Sequence, residues 1–456
     1  MTVRTGDLTV GGITSTLLRF TLPMMLGSLM QQCYNIADTL IVGRCIGPDA
    51  LAAVGSAYSL MTFLISVLLG LAMGSGTVFS MQFGAGNMPG LRRSIYVSLV
   101  LIGCVTAVLT IVSFVFIDPI LRLLQVPEEI YDMLRLYLLI IFGGIPFTFL
   151  YNFYAALLRA VGDSVTPLWF LGVSVVLNIG LDLLFIIGFD MGVGGAALAT
   201  VVTQGVSALG LMVYVLHRRP ELRVRREDMK LDGASVREIA SFSSLTCVQQ
   251  SVMNFGILMV QGLVNTFGTA VMAAFAAAVK IDSFAYMPVQ ELGNAFSTFT
   301  AQNYGAGKSA RIRRGVRSAF LISVLFSLAV SLLVFLLARP LMLIFVRAEE
   351  VEIIRIGVQY LRVEGSFYFG IGILFLLYGY YRAIRMPAMS VVLTVLSLGT
   401  RVALAYILAA IPSVGVIGIW WSIPIGWALA DGVGIAYYFY LRRKNVNLQK
   451  HQHYLP

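Results

Sequence analysis

Two carboxylates, an amide and a hydroxyl stand where the chain is otherwise hydrocarbon. Asp38 and Asp182 lie inside long apolar runs, Asn178 precedes Asp182 by one helical turn on the same face, and Thr200 lies a little way into the next run. An ionisable group inside an apolar span costs on the order of several kcal/mol, so each one asks for a partner or a function. If the first run ends near Gly43 and the fifth near Phe189, a rise of about 1.5 Å per residue sets Asp38 and Asp182 roughly 8 and 10 Å below one boundary, with Thr200 at about the same depth. Four oxygen-bearing side chains in one layer suit a small cation. Two like-charged carboxylates in a poorly solvated pocket favour taking up a proton. The same oxygens are hard ligands for Na⁺, so Asp38, Asn178, Asp182 and Thr200 form a metal site if Na⁺ is the ion. Residue types alone leave both ions open.

A second polar set sits in the other half of the chain. Lys280 and Asp282 fall in one apolar run, Glu291 follows further along it, and Arg401 lies in a later run. Two residues apart on a helix, Lys280 and Asp282 point in different directions and need separate partners. Arg401 is the expected partner of one of them, either as a pair that locks geometry or as part of a cargo site.

Other chemistries lack their residues. The three histidines, His217, His451 and His453, lie at span ends or in the tail, and no Ser/His or metal-ligand spacing occurs, so no enzyme is expected. Cys33, Cys45, Cys104 and Cys247 are scattered without Cys-x-x-Cys spacing. No cofactor is expected beyond the coupling ion.

The elements that must position these groups are membrane helices. Over 456 residues, 58% are apolar, 12% are charged and the mean hydropathy is +0.87, too apolar for a water-soluble domain. Apolar runs long enough to cross about 30 Å of hydrocarbon number twelve, near 16–43, 51–82, 93–117, 133–157, 165–189, 193–216, 238–266, 270–303, 315–338, 360–381, 387–411 and 415–441. Turn residues such as Gly47-Pro48-Asp49 and Gly162-Asp163 punctuate them. The first run begins near Ile13 with no small-residue cleavage site, so it is read as a span rather than a removable signal. The polar stretch 217–237 reads as a surface linker between a first lobe, 1–216, and a second, 238–441, with a cytoplasmic tail at 442–456. With both termini in the cytoplasm, most of the 32 Lys and Arg fall on that side, as insertion topology favours. The net charge of +10 then faces anionic lipid headgroups, and nucleic acid is not expected as a partner.

The lobes repeat each other. Gln82-Phe83-Gly84-Ala85-Gly86 followed by Arg92-Arg93 returns as Gln302-Asn303-Tyr304-Gly305-Ala306-Gly307 followed by Arg313-Arg314. Gln31-Gln32 matches Gln249-Gln250, Ala52-Ala53 matches Ala273-Ala274, and Leu158-Arg159-Ala160 matches Tyr381-Arg382-Ala383. Six spans per lobe is an even number, so the repeats are parallel and related by an axis along the membrane normal. The fold expected is an all-α integral membrane protein of twelve transmembrane helices in two pseudo-symmetric six-helix lobes, working by alternating access.

Taken together, several motifs resemble the multidrug and toxic compound extrusion (MATE) family. They are Pro23 with Asp38, Leu51-Ala52-Ala53, the two Gly-Ala-Gly loops, Arg159-Ala160-Val161-Gly162-Asp163 through Pro167, and Asn178-Ile179-Gly180-Leu181-Asp182. The likeness runs over essentially all twelve spans. It implies a monomeric, cation-coupled antiporter of the plasma membrane that exports small cationic amphipathic compounds. Carried over residue by residue, the family's first-lobe cation site falls on Asp38, Asn178, Asp182 and Thr200, with Pro23 as the place where span one bends. One branch of the family adds carboxylates in spans seven and ten. Here span seven offers Gln249 and Gln250, and span ten offers Glu364 near its outer end, so a second-lobe sodium site of that kind is not expected. A flippase for lipid-linked precursors is the alternative of shared architecture, and the paired Asp38 and Asp182 argue against its anionic cargo.

Overall fold

Pro, Gly and Asn at the ends of the apolar runs set where the helices begin and stop. The computed structural model describes residues 6–123 and 126–452, and among them every regular element is helical. In the first half these are Ile13–Cys45 (α1), Pro48–Gly84 (α2), Met88–Val115 (α3), the short Ile117–Leu123 (α4), Glu128–Gly143 (α5), Ile145–Ala160 (α6), Val165–Leu183 (α7) and Gly192–Arg218 (α8). In the second half follow Gly233–Asn265 (α9), Thr269–Gly305 (α10), Ser309–Leu343 (α11), Val351–Gly365 (α12), Tyr368–Ala383 (α13), Pro387–Ala409 (α14) and Val416–Gln452 (α15). Ten are long and apolar enough to cross a bilayer alone. Two bent pairs, α5 with α6 at 44° and α12 with α13 at 50°, bring the spans to twelve.

Those bends are where the structure departs from the sequence reading, which ran spans four and ten as continuous helices. The first break follows Gly143-Gly144, and Pro146 in the opening turn of α6 brings no backbone N–H to bond back across it. The second falls at Ser366-Phe367, where the Phe367 N–H turns back to the Glu364 carbonyl at 3.0 Å. The last four residues of the expected tail, 453–456, lie outside the described residues.

Packing gathers the described chain into two compact bodies. The first takes the described residues within 1–251 and 298–314, the second those within 252–297 and 315–456. Contacts therefore divide the chain differently from its order, because α9 and α10 each contribute to both bodies. In the first body the beginning of α9 lies hard against α2. A Cβ on Gly70 would come within 2.6 Å of the Cys247 Cα, one on Gly74 within 2.4 Å of the Phe242 carbonyl oxygen, and Ser75 Oγ meets Ser243 Oγ at 2.8 Å. The second body is filled by aromatic rings, with Trp420 stacked on Phe275 at 5.6 Å and edge-on to Tyr360 at 4.8 Å.

The repeated loops share a backbone pattern. After α2, Gly86 N–H bonds the Phe83 carbonyl and Asn87 N–H the Gln82 carbonyl; after α10, Gly307 bonds Tyr304 and Lys308 bonds Asn303 in the same way. Gly86 and Gly307 both take positive φ, +71° and +68°, which a side chain would strain. This register pairs Gln82 with Asn303, one residue away from the Gln82 and Gln302 match read in the sequence.

The linker is more than a surface tether. It turns through short 3₁₀ segments at Pro220–Leu222 and Arg226–Asp228, and Leu222 and Asp228 are buried against the first body. Arg92 Nε reaches Asp228 Oδ2 at 2.7 Å, Arg219 reaches Asp163 at 3.0 Å and Arg93 reaches Asp232 at 3.6 Å.

Candidate cation site

In the first body, α1 packs against α7 and α8, and α5 packs against α8. That packing brings Asp38 of α1 to Asp182 of α7, their carboxyl groups close enough to act on each other. Asn178 lies one turn before Asp182 on the same face of α7. Asp182 is fully buried and Asn178 is 1% exposed. No donor group reaches Asp38 Oδ1, either oxygen of Asp182 or Asn178 Oδ1, and no acceptor reaches Asn178 Nδ2. Unpaired buried polar atoms are costly, and several on three neighbouring side chains mark a place prepared for something the protein chain does not itself supply.

Thr200 of α8 completes the layer through Tyr34. The Tyr34 hydroxyl lies 3.4 Å from Thr200 Oγ1, which itself donates to the Ala196 carbonyl at 3.1 Å. Tyr34 and Tyr137 stand close enough to feel the charge of both carboxylates. Tyr34 is one turn from Asp38 on α1, a spacing visible in the sequence. Tyr137 on α5 left no such signal.

Local backbone supports the site. Immediately after Asp182, α7 loosens into one π-helical turn over Leu184–Gly188, closed by the Phe189 N–H on the Leu184 carbonyl at 2.9 Å. Such a turn widens the helix and shifts the direction of side chains beside it, and it is found disproportionately at functional sites. Pro23 sits inside an unbroken α1, where it withholds a backbone N–H from the turn before it.

Chemically the set offers two carboxylates, an amide oxygen and a hydroxyl. Facing carboxyls share a hydrogen bond only when one of them carries a proton. The oxygen donors also fit Na⁺, which Asp38, Asp182, Asn178 and Thr200 would hold as hard ligands.

The second body gathers a different group. Asp282 of α10 and Glu364 of α12 are buried at 2% and 5% exposure and lie beside each other, with the Tyr360 and Tyr368 hydroxyls on Asp282 and the Arg401 charge nearby. Glu364, set aside in the sequence as an outer-end residue, is at the heart of this cluster. Lys280 is not part of it. Its side chain is exposed, with Nζ 6.0 Å from the centre of the Phe345 ring, in keeping with a position two residues from Asp282 on one helix. Tyr360, Glu364 and Tyr368 are spaced four apart, a signal for one polar face that the bend after Gly365 obscured.

Comparison with known proteins places the chain. A family model described as MatE matches residues 23–184 and again 245–407, once in each half. The chain is 30% identical over 445 residues to "Probable multidrug resistance protein YpnP" of Bacillus subtilis, covering 97% of this chain and 98% of that protein. It is 26% identical over 444 residues to "FAD transporter" of Shewanella oneidensis, covering 94% and 95%. Among solved structures, "Outward-facing conformation of a multidrug resistance MATE family transporter of the MOP superfamily" superposes with a TM-score of 0.90 at 24% identity, covering 96% of this chain and 97% of that one.

Proposed function

This chain belongs to the MatE family of membrane transporters, and from that premise we propose that it exports cationic amphipathic drugs and toxic compounds by alternating access, driven by H⁺ or Na⁺ entering in exchange. The supporting observation is the pair Asp38 and Asp182, facing each other inside the first body with oxygens that no donor satisfies. A relative named as a multidrug resistance protein, aligned nearly end to end, supports drugs as cargo.

In this reading Asp38, Asn178, Asp182 and Thr200 bind the coupling cation. Cation entry neutralises the pocket, α1 rearranges at Pro23, where a backbone hydrogen bond is already missing, and the hold on a cationic cargo weakens. Competition for one negative charge links the two movements. The chain works as a monomer without cofactor or catalytic centre, in the plasma membrane, with both termini in the cytoplasm.

Ethidium movement in everted vesicles tests this. The parent should accumulate ethidium under a pH gradient or a Na⁺ gradient, naming the ion, and Asp38→Asn should not. An inserted, folded parent that moves no ethidium under either gradient would remove the cationic cargo. The same vesicles then test FAD and a lipid-linked precursor, the first because one relative is named a FAD transporter.

A further inference from the structure

The segment ahead of α1 is held in a cradle that the proposed cation chemistry does not use. Leu8 and Thr9 are 5% and 8% exposed, although they precede the first helix. Their burial is organised almost wholly through backbone. Gln302 Oε1 accepts the Leu8 N–H at 2.9 Å, while Gln302 Nε2 donates to the Ala160 carbonyl at 2.8 Å. Asn303 Nδ2 donates to the Leu8 carbonyl at 3.3 Å. Lys308 Nζ donates to both the carbonyl and the hydroxyl of Thr9, each at 2.9 Å. The Arg311 guanidinium reaches the carbonyls of Gly11 and Val10 at 2.7 Å and shares the Leu8 carbonyl at 3.2 Å.

At the other end the segment crosses the α6–α7 junction at glycine on glycine. A Cβ on Gly162 would lie 1.7 Å from the Gly6 carbonyl oxygen, and one on Gly6 2.4 Å from that of Val161; both glycines also take positive φ, +85° and +95°. No other residue permits that crossing.

The four residues that hold the segment belong to the second copy of the repeated loop. In the backbone register shared by the two copies, Gln302, Asn303, Lys308 and Arg311 stand where the first copy has Met81, Gln82, Asn87 and Gly90. In the first copy the polar groups serve their own loop, Asn87 accepting the Gly90 N–H at 3.0 Å and donating to Gln82 at 2.9 Å. The second copy has exchanged that local capping for side chains long and charged enough to reach a neighbouring strand of chain. The divergence between the repeats is thus accounted for by the segment they hold.

We propose that Gly6–Gly11 is a latch: a strap that ties the start of α1 to the α10–α11 loop and the α6–α7 junction, and that must be released in each transport cycle. The side chains that hold it bond mainly to backbone carbonyls, contacts that water can replace when the strap lifts. α1 carries Asp38, so the strap fixes the helix whose rearrangement the cycle requires to the loop where α10 and α11 meet, which packs in the same body. This inference rests on the alternating-access reading above.

The test uses the full chain with Cys33, Cys45, Cys104 and Cys247 changed to Ser and with Thr9→Cys and Lys308→Cys added. Bridging the two thiols with a short reversible bis-thiosulfonate should stop gradient-driven ethidium movement, and reduction should restore it. Bridged protein that transports as fast as reduced protein overturns the latch. A second measurement needs no cargo: maleimide labelling of Thr9→Cys alone, with Lys308 intact, should quicken about tenfold when the driving gradient is applied, the factor expected when charge-assisted hydrogen bonds covering the site are released. A labelling rate indifferent to the gradient overturns the latch. Vesicles that move no ethidium yet show gradient-dependent labelling would sink the cargo reading and leave the latch standing.

Discussion

At the scale of the residue, the proposed cation chemistry rests on two acids, and their neighbours rank below them in order of how well each is already satisfied. Asp182 is wholly buried with both oxygens unbonded, so Asp182→Asn keeps the shape and removes the charge on which the proposed cation binding depends. Gradient-driven ethidium movement should fall to the level of empty vesicles in that variant. Thr200 already gives its proton to the Ala196 carbonyl, so Thr200→Val removes about one neutral hydrogen bond, worth roughly 1 kcal/mol, and should slow transport by less than about tenfold. Equal losses in both variants, read in the same vesicles, would put the hydroxyl on a par with the acids. Asp38 and Asp182 were legible because depth along a helix can be counted from its end. Asp282 with Glu364 was not, since the two are far apart in the chain and no count along either helix says which faces meet.

At the scale of the element, small residues set how close helices come. Gly74 lets α2 approach the Phe242 carbonyl of α9 more closely than any side chain allows. Gly74→Leu should therefore destabilise the protein by roughly 1–3 kcal/mol or more, seen as a lower melting temperature in detergent. Gly55→Ala, on the same helix with open space around it, should instead raise stability slightly through helix propensity. A Gly74 variant as stable as the parent would mean that the α2–α9 contact yields easily. Of the two bends, the one at Gly144 had a sequence signal in the Gly-Gly-Ile-Pro string. The one at Ser366 had none of that kind.

At the scale of the whole molecule, the linker is tied to the first body electrostatically as well as covalently. Burial alone would raise the Asp228 carboxyl, but its bond to the Arg92 guanidinium and the Arg225 backbone N–H outweigh that and hold it below the usual carboxylate range. A carboxyl whose value is lower folded than unfolded adds stability in full above the unfolded value of about 3.9, and that stability is lost as the pH falls through the folded value. Amide exchange over residues 219–232, corrected for intrinsic rate, should lose protection below about pH 4 in the parent, and Arg92→Gln should lose it already at neutral pH. Protection unchanged by either would remove the anchor. Topology has its own check, because Cys45 is exposed at the end of α1. With the amino terminus in the cytoplasm, an impermeant maleimide should label Cys45 when added to intact cells and not when added outside everted vesicles. From sequence alone came the bilayer, the twelve spans, the duplication and the layer that holds Asp38 and Asp182, since hydropathy, repeat and helical rise are properties of chain order. Tertiary structure alone decided that Glu364 joins Asp282, that Lys280 stays outside, that the linker is pinned by Arg92, and that Gln302, Asn303, Lys308 and Arg311 bind the strap. Those depend on which helix faces meet and on bonds to backbone carbonyls, which are the same in every residue and leave no mark in a sequence.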